Sequence, residues 1–300
     1  MLRVLYPRIK PALIQITLLQ VAKSCCVSKK RTTNDIVKQQ TTSKDIKTRG
    51  AQLHLIIQFP VLNTSGISDP ASLASRQKEY IYCLQRNLLS PDVQGIHILC
   101  ESQQDTFFIQ ALNLTGNWKL VFYLLGRRMR YKDAFEYASN YLLRKNSMII
   151  NADCYVDKGF EHLDENVLNK RTMYALTRHE TPEHIRHCNG RNFCGPRSKY
   201  IGSHDAFLFR LLAPVSRQLL ENIDYRANIV GIEKVLIFNL RKYENFEMKN
   251  PCRILQIVHH HCSRKRNKSE RYIQGQRIDH YLNITEEKKG KLIMVPFSGL

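Results

Sequence analysis

The sequence predicts an α/β fold with a mostly parallel central sheet flanked by helices. Three observations carry this. Short apolar runs of strand length alternate with stretches of helical spacing, strand, helix and strand follow one another within residues 53–101, and several of the runs end on an acid or an amide. With 43% hydrophobic residues the 300-residue chain can bury one large core, which excludes wholesale disorder.

Residues 1–10 are basic, and 11–22 form an apolar run diluted by Gln15 and Gln20 and stopped by Lys23. Such a run falls short of the roughly twenty residues a membrane-spanning helix needs. It reads either as a weak signal anchor or as an exposed amphipathic segment. Residues 23–50 are a polar linker. Residues 53–59 are a buried strand stopped by Pro60. After a loop over 61–74, the spacing of Tyr80, Cys83, Leu84 and Leu88 predicts a helix over 75–89. Strands follow at 96–101 and 119–125. Gly126-Arg127-Arg128-Met129-Arg130 then leads into a helix with Asp133 in its first turn and Ala134, Tyr137, Ala138, Tyr141 and Leu142 on one face.

The next run, Ser147-Met148-Ile149-Ile150, is a short buried strand that switches abruptly to Asn151 and Asp153, with Asp157 beyond. Residues 172–177 are a strand ending in Arg178-His179, and 181–200 form a polar loop rich in Cys, His and Arg. Gly202-Ser203-His204-Asp205 precedes the apolar run 206–209. A helix–strand region passes through 231–236, and the run 254–258 ends in His259-His260-His261-Cys262-Ser263. No internal repeat is present.

The net charge of +20 belongs largely to the ends: +9 over residues 1–50 and +6 over 253–291. Basic flanks attract nucleic acid, anionic membranes or phosphorylated ligands without choosing among them, and a solvated charged face is the plain alternative. The nine cysteines are scattered, odd in number and without a CxxC pair, so they define no disulfide framework. Asn63, Asn113, Asn267 and Asn283 each begin an N-x-Ser/Thr triplet, a modest excess over chance that points weakly to a secretory route.

An acid at the carboxyl end of a parallel strand sits where open α/β sheets bind ligands, and its oxygens suit a hard divalent cation. Read plainly, Asn151 and Asp153 form a turn or a helix cap. Arg127 and Arg128 stand near a helix start, where a phosphate also finds backbone N–H groups; a surface role is the simpler reading. The histidine triplet beside Cys262 offers softer ligands, and His184, His187, Cys188 and Cys194 could join it, but the spacing matches no common zinc finger. Ser203 has no nucleophile-elbow context, so a hydrolase triad is unsupported.

Taken in order, Gly126-Arg127-Arg128-Met129-x-Tyr131-x-Asp133-Ala134-Phe135, Asn151-Ala152-Asp153, Met173-Tyr174-Ala175-Leu176-Thr177-Arg178-His179, Ser203-x-Asp205-Ala206-Phe207, Gly231-Ile232-Glu233 and His259-x-His261-Cys262-Ser263 carry a resemblance. The set resembles a group of glycosyltransferase-like proteins similar to the GT-A superfamily of nucleotide-sugar transferases, over roughly residues 53–268. The resemblance implies a GT-A-like, Rossmann-like single catalytic domain over 51–268, between a basic tail at 1–50 and a second basic tail at 269–300. It implies a strand-end Asp-x-Asp motif that holds Mn²⁺ or Mg²⁺ on the donor diphosphate. Here Asp153 supplies the first acid, Tyr155 stands in place of the second, and Asp157 is the next carboxylate. By the same likeness His259 or His261 is a further metal ligand. Glu233 is the first candidate for the base that activates an acceptor hydroxyl and Asp205 the second, and Arg127, Arg128 and Asn151 join Asp153 around the donor.

The implied partners are a nucleotide-sugar donor and a glycan, protein or lipid acceptor, with membrane association through the N-terminus. An anchor there implies a type II protein of the Golgi or endoplasmic reticulum; without one the chain is cytoplasmic. The rival readings are a metal-dependent nuclease or phosphotransferase, a non-enzymatic zinc- or nucleic-acid-binding protein, and a transferase fold that has lost activity. The lack of an aromatic-interleaved basic motif counts against a nucleic-acid partner.

Overall fold

Two kinds of strand set up the architecture: long apolar ones covered on both faces, and short ones that hold loops together at one end. The computed structural model describes residues 51–62, 69–188, 190–200, 203–263, 271–282 and 294–300. Residues 1–50, with the 11–22 run and the linker, lie outside the described residues, as do the triplets at Asn63, Asn267 and Asn283. The elements begin with β1 (Leu53–Ile57), α1 (Pro70–Leu89), β2 (Val93–Cys100), α2 (Gln103–Ala111), β3 (Leu120–Leu124), α3 (Tyr131–Tyr141), β4 (Asn146–Ile150) and β5 (Cys154–Val156). They continue with α4 (Glu165–Asn169), β6 (Thr172–Leu176), β7 (His179–Glu180), α5 (Pro182–His187), β8 (Ala206–Arg210) and α6 (Arg217–Asn222). Last come α7 (Ile232–Glu244), β9 (Glu247–Lys249), β10 (Ile257–His259) and α8 (Ile278–Tyr281).

Seven strands form the central sheet in the order β3-β2-β1-β4-β8-β6-β9. All run the same way except β8, which is antiparallel to both neighbours. The expected α/β fold with a mostly parallel, helix-flanked sheet is therefore the observed one, and Ile46–Leu300 is one compact unit. The register places side chains in rungs. Ile56, Ile149, Phe207 and Ala175 share one face and pack against α3 and α7. Leu55, Met148, Leu208 and Tyr174 share the other, against α1 and a second, smaller sheet. Burial on both sides explains why these strands read as continuous apolar runs, and each buried Leu, Ile or Phe contributes roughly 1.5–3 kcal/mol.

The helices differ from the sequence reading where polar signals outrank periodicity. α1 starts at Pro70, within the expected 61–74 loop, because Asp69 caps it by accepting from the Ser72 N–H and Pro70 opens its first turn. α2 is invisible to apolar spacing, since Ile109 is its one buried apolar residue; Ser102 and Asp105 form a capping box instead. The region around 231–236 is helix throughout, the start of α7. Residues 181–200, expected as loop, hold α5, capped by Thr181.

The three-stranded sheet β5-β10-β7 packs beside α1. Asn87 of α1 finishes its open edge by donating to the Cys154 carbonyl at 3.1 Å and accepting from the Val156 N–H at 2.9 Å. Gly159 (φ +92°) lets the following turn pass against the Ile254 carbonyl where no side chain fits. Disulfides join Cys188 to Cys262 and Cys194 to Cys252, a framework the scattered spacing does not reveal. Among the described residues no helix is long and apolar enough to cross a membrane.

The described C-terminal residues, 271–282 and 294–300, pack onto the domain. Ile278, Met294 and Val295 lie in the core, and Ser298 bonds to Asn250. Asn250 is fully buried: it accepts from the Thr177 N–H and donates to Thr177 Oγ1 and the Val295 carbonyl. Asn250→Ala removes the partner of the Thr177 N–H and of the Val295 carbonyl, so we expect a loss of about 2–4 kcal/mol in denaturant unfolding.

Candidate functional site

Strand order reverses between β1 and β4, and the crevice beyond the carboxyl ends of strands at such a switch point is the usual ligand site of an open α/β sheet. β4 delivers Asn151 and Asp153 there. β8 runs the opposite way, so its beginning, not its end, brings Asp205 to the same edge. The small sheet supplies the rest. In its register His259 pairs with Cys154, the residue after Asp153, on one side and with Glu180 on the other. The His260 N–H donates to the Asp153 carbonyl at 2.8 Å and continues the ladder.

This topology brings Asp153, His259 and His261 together, with their ligand atoms within 4.8 Å of one another. Asp153 Oδ2 lies 3.4 Å from His259 Nε2 and 3.7 Å from His261 Nδ1. It also accepts from Arg76 at 2.5 Å. Burial alone raises a carboxyl pKa, but the charges and hydrogen bonds of His259 and Arg76 outweigh it and hold Asp153 well below its ordinary range. His259 shows the converse: burial works against its cationic form, yet Asp153 and Glu180 push its pKa up to about 9. Its Nδ1 donates to Glu180 Oε1 at 2.5 Å, so a neutral His259 presents its Nε2 lone pair toward Asp153. Burial and Arg76 push His261 down to about 4, and its Nε2 is buried without a hydrogen-bond partner.

Four residues that the sequence reading did not select complete the arrangement. Arg76 and Glu79 pair at 2.7 Å on α1, and Glu79 also accepts from the Cys262 and Ser263 N–H groups at 2.6 and 2.8 Å. Glu79 thus fastens the segment after His261 to α1. Arg178 links Glu180 (3.4 Å) to Asp205 (2.9 Å) and lies over the Phe193 ring. A sequence signal exists for the first pair: Arg76 and Glu79 fall three apart on the side of α1 that also buries Cys83.

The donor set fits a divalent cation. Glu79, Asp153, Glu180 and Asp205 face two guanidiniums, Arg76 and Arg178, a deficit that a dication beside a neutral His259 cancels. The Glu180–His259 pair is also the carboxylate–histidine support that metal-bound imidazoles use. Two imidazoles and one carboxylate are softer than the oxygen cage Mg²⁺ requires, which favours Mn²⁺ or a later first-row ion. Asp157 is outside this group: it follows β5 and faces Arg86 at 3.9 Å.

Asp205 and Glu233 have different surroundings. Asp205 is buried and accepts from three donors, Asn151 Nδ2, Arg178 Nη1 and Ser203 Oγ. Glu233 sits in the first turn of α7, and its carboxylate bonds no other described residue through a hydrogen bond. Burial, with a smaller push from Asp205, raises its pKa to about 7. Both carboxylates act on the buried Tyr131 hydroxyl, so they share one region of the site. Arg127 is committed to Asp133, with two hydrogen bonds of 2.8 and 2.7 Å at the start of α3; Arg128 is half-buried beside it.

No family model matches the chain, and no curated protein matches it. Among solved structures, the crystal structure of HddC from Yersinia pseudotuberculosis is similar over 58% of this chain and 79% of its own, at 15% identity and a TM-score of 0.29. The same protein complexed with GMP-PN matches over 52% and 73%, at 15% identity and a TM-score of 0.25. Likeness of that depth bears on neither substrate nor reaction.

Two outcomes test the site. Glu180→Gln removes the carboxylate behind His259 and should weaken Mn²⁺ binding, read by calorimetry, about ten- to a hundredfold. Glu233→Gln should stabilise the protein at pH 8. A folded carboxyl pKa of about 7 against 4.5 when unfolded makes the folded state lose stability as pH rises through that window. The neutral amide avoids a loss of about 3 kcal/mol, so the two melting curves should converge near pH 4.

Proposed function

We propose that the chain is a glycosyltransferase that moves a sugar from a nucleotide-sugar donor to the hydroxyl of a glycan, protein or lipid. The observation that carries this reading is the metal-ligand set around Asp153; Glu233, a buried carboxyl near enough to Asp205 to feel its charge and raised to about 7 mainly by burial, supports it. A base that works near pH 7 needs such a pKa. In the reaction the acceptor oxygen bonds to the anomeric carbon, its proton passes to Glu233, and the bond from that carbon to the diphosphate breaks. This route inverts the anomeric centre.

Asp153, His259 and His261 would hold the cation, with Mn²⁺ favoured over Mg²⁺ by the donor types. When bound, it supplies neutralisation of the negative charge that develops on the leaving diphosphate. Asp205, with its acceptor capacity used by Arg178, Asn151 and Ser203, fixes the β4 and β8 ends rather than moving a proton. Arg127 and Arg128, beyond the end of β3, remain candidates for donor phosphate or base. The two disulfides support an oxidising compartment, as the secretory reading expects.

The first experiment is thermal denaturation of the full chain with nucleoside diphosphates and nucleotide sugars, with and without Mn²⁺. A ligand of the native state raises the melting temperature with the logarithm of its concentration. A Mn²⁺-dependent shift with one nucleotide, absent in Asp153→Ala, supports the reading and names the donor base. No shift with any nucleotide sinks it. In a transfer assay the rate should rise with pH to a plateau, with a midpoint near 7. Glu233→Gln should remove that limb and lower kcat about a hundredfold or more.

A further inference from the structure

The histidine-rich stretch that begins at the end of β10 serves two faces. His259 and His261 meet Asp153, whereas the residues between and after them turn the other way. The His260 ring lies 4.2 Å from that of His184, and Cys262 is bonded to Cys188. Period-two alternation of an extended segment accounts for the split. His184 and Cys188, four apart along α5 and its C-terminal cap, form the opposing side.

His184, Cys188 and Cys262 have their ligand atoms within 4.8 Å of one another. His184 Nδ1 lies 3.2 Å from the His259 carbonyl and 3.5 Å from Glu180 Oε2, both acceptors, so a neutral His184 presents its lone pair at Nε2. A metal-bound histidine is commonly oriented in this way. Cys262 is exposed, so its disulfide is open to a thiol reductant.

We propose that the Cys188–Cys262 disulfide is one of two states of this cluster, the other being a zinc site formed by His184 Nε2 and the two cysteine sulfurs, with His260 next to the fourth position. A dithiol reductant supplies two electrons: the S–S bond breaks, the reductant becomes a disulfide, and its two protons go to the cysteines. Both protons leave when the thiolates bind Zn²⁺. Two sulfurs and an imidazole suit Zn²⁺, whereas the Asp153, His259 and His261 set offers one carboxylate and two imidazoles. In either state the 260–263 segment stays fastened to α5.

Co²⁺, a spectroscopic stand-in for Zn²⁺, tests this on the full chain. After reduction, one equivalent of Co²⁺ should give a thiolate-to-metal charge-transfer band that the oxidised chain lacks. Cys188→Ser should abolish the band, His184→Ala should weaken Co²⁺ at least about tenfold, and Cys194→Ser should leave both unchanged. No band from the reduced chain, whether it stays folded or not, overturns the proposal, as does a band that survives Cys188→Ser. Glycosyl transfer enters none of these readings, so the transferase proposal and this one fail separately.

Discussion

The buried carboxylate of Asp153 is the constraint on which the rest of the site depends. An ionised acid in a protein interior is tolerated only when paired and hydrogen-bonded. Arg76 from α1 and the imidazoles at and just beyond the end of β10 meet that need from two directions. Each of those groups is then itself buried and requires partners. Arg76 takes Glu79, Glu79 takes the backbone after His261, His259 takes Glu180, and Glu180 leads through Arg178 to Asp205. One strand-end acid thereby ties the central sheet, the small sheet and α1 into a single electrostatic unit.

Such a unit is costly to assemble, and its stability is conditional. Removing one partner strands a buried charge, typically a loss of 3–5 kcal/mol. Covalent and backbone restraints surround it accordingly. The Cys188–Cys262 and Cys194–Cys252 bonds tie the 188–194 region to segments on either side of β10. Asn87 closes the edge of β5, and Asn250 joins β6 and β9 to the C-terminal residues. Against this background Glu233 is distinctive, since among the described residues its carboxylate finds a hydrogen bond only at its own backbone. Asp205 and Glu233 are both acids near one buried tyrosine, yet one is held by three donors and the other is left to titrate near neutrality. Environment, not residue type, separates the two carboxyls.

The strand-end acids and the late histidines were legible as candidates because an abrupt change from apolar to acidic marks the end of a buried strand. Asp157 shows the limit of that signal: β5 begins between it and Asp153, and the chain carries it away to Arg86. Arg76, Glu79 and Glu180 were not selected because charged residues on a helix or in a polar loop read as solvated until something is packed over them. α2 and the early start of α1 were missed for a related reason, since both depend on caps rather than on an apolar stripe.

By itself the sequence determined the alternation of strand and helix and the apolar rungs of the central sheet, because burial on one face imposes a period along a helix and burial on both faces makes a strand a continuous apolar run. It also determined that acids end several strands. Only the tertiary structure decided which of those acids meet. β8 runs backwards, β10 inserts between β5 and β7, and α1 presents its charged pair inward. These pairings join residues up to 184 positions apart, as with Glu79 and Ser263, and no local period encodes a contact of that span.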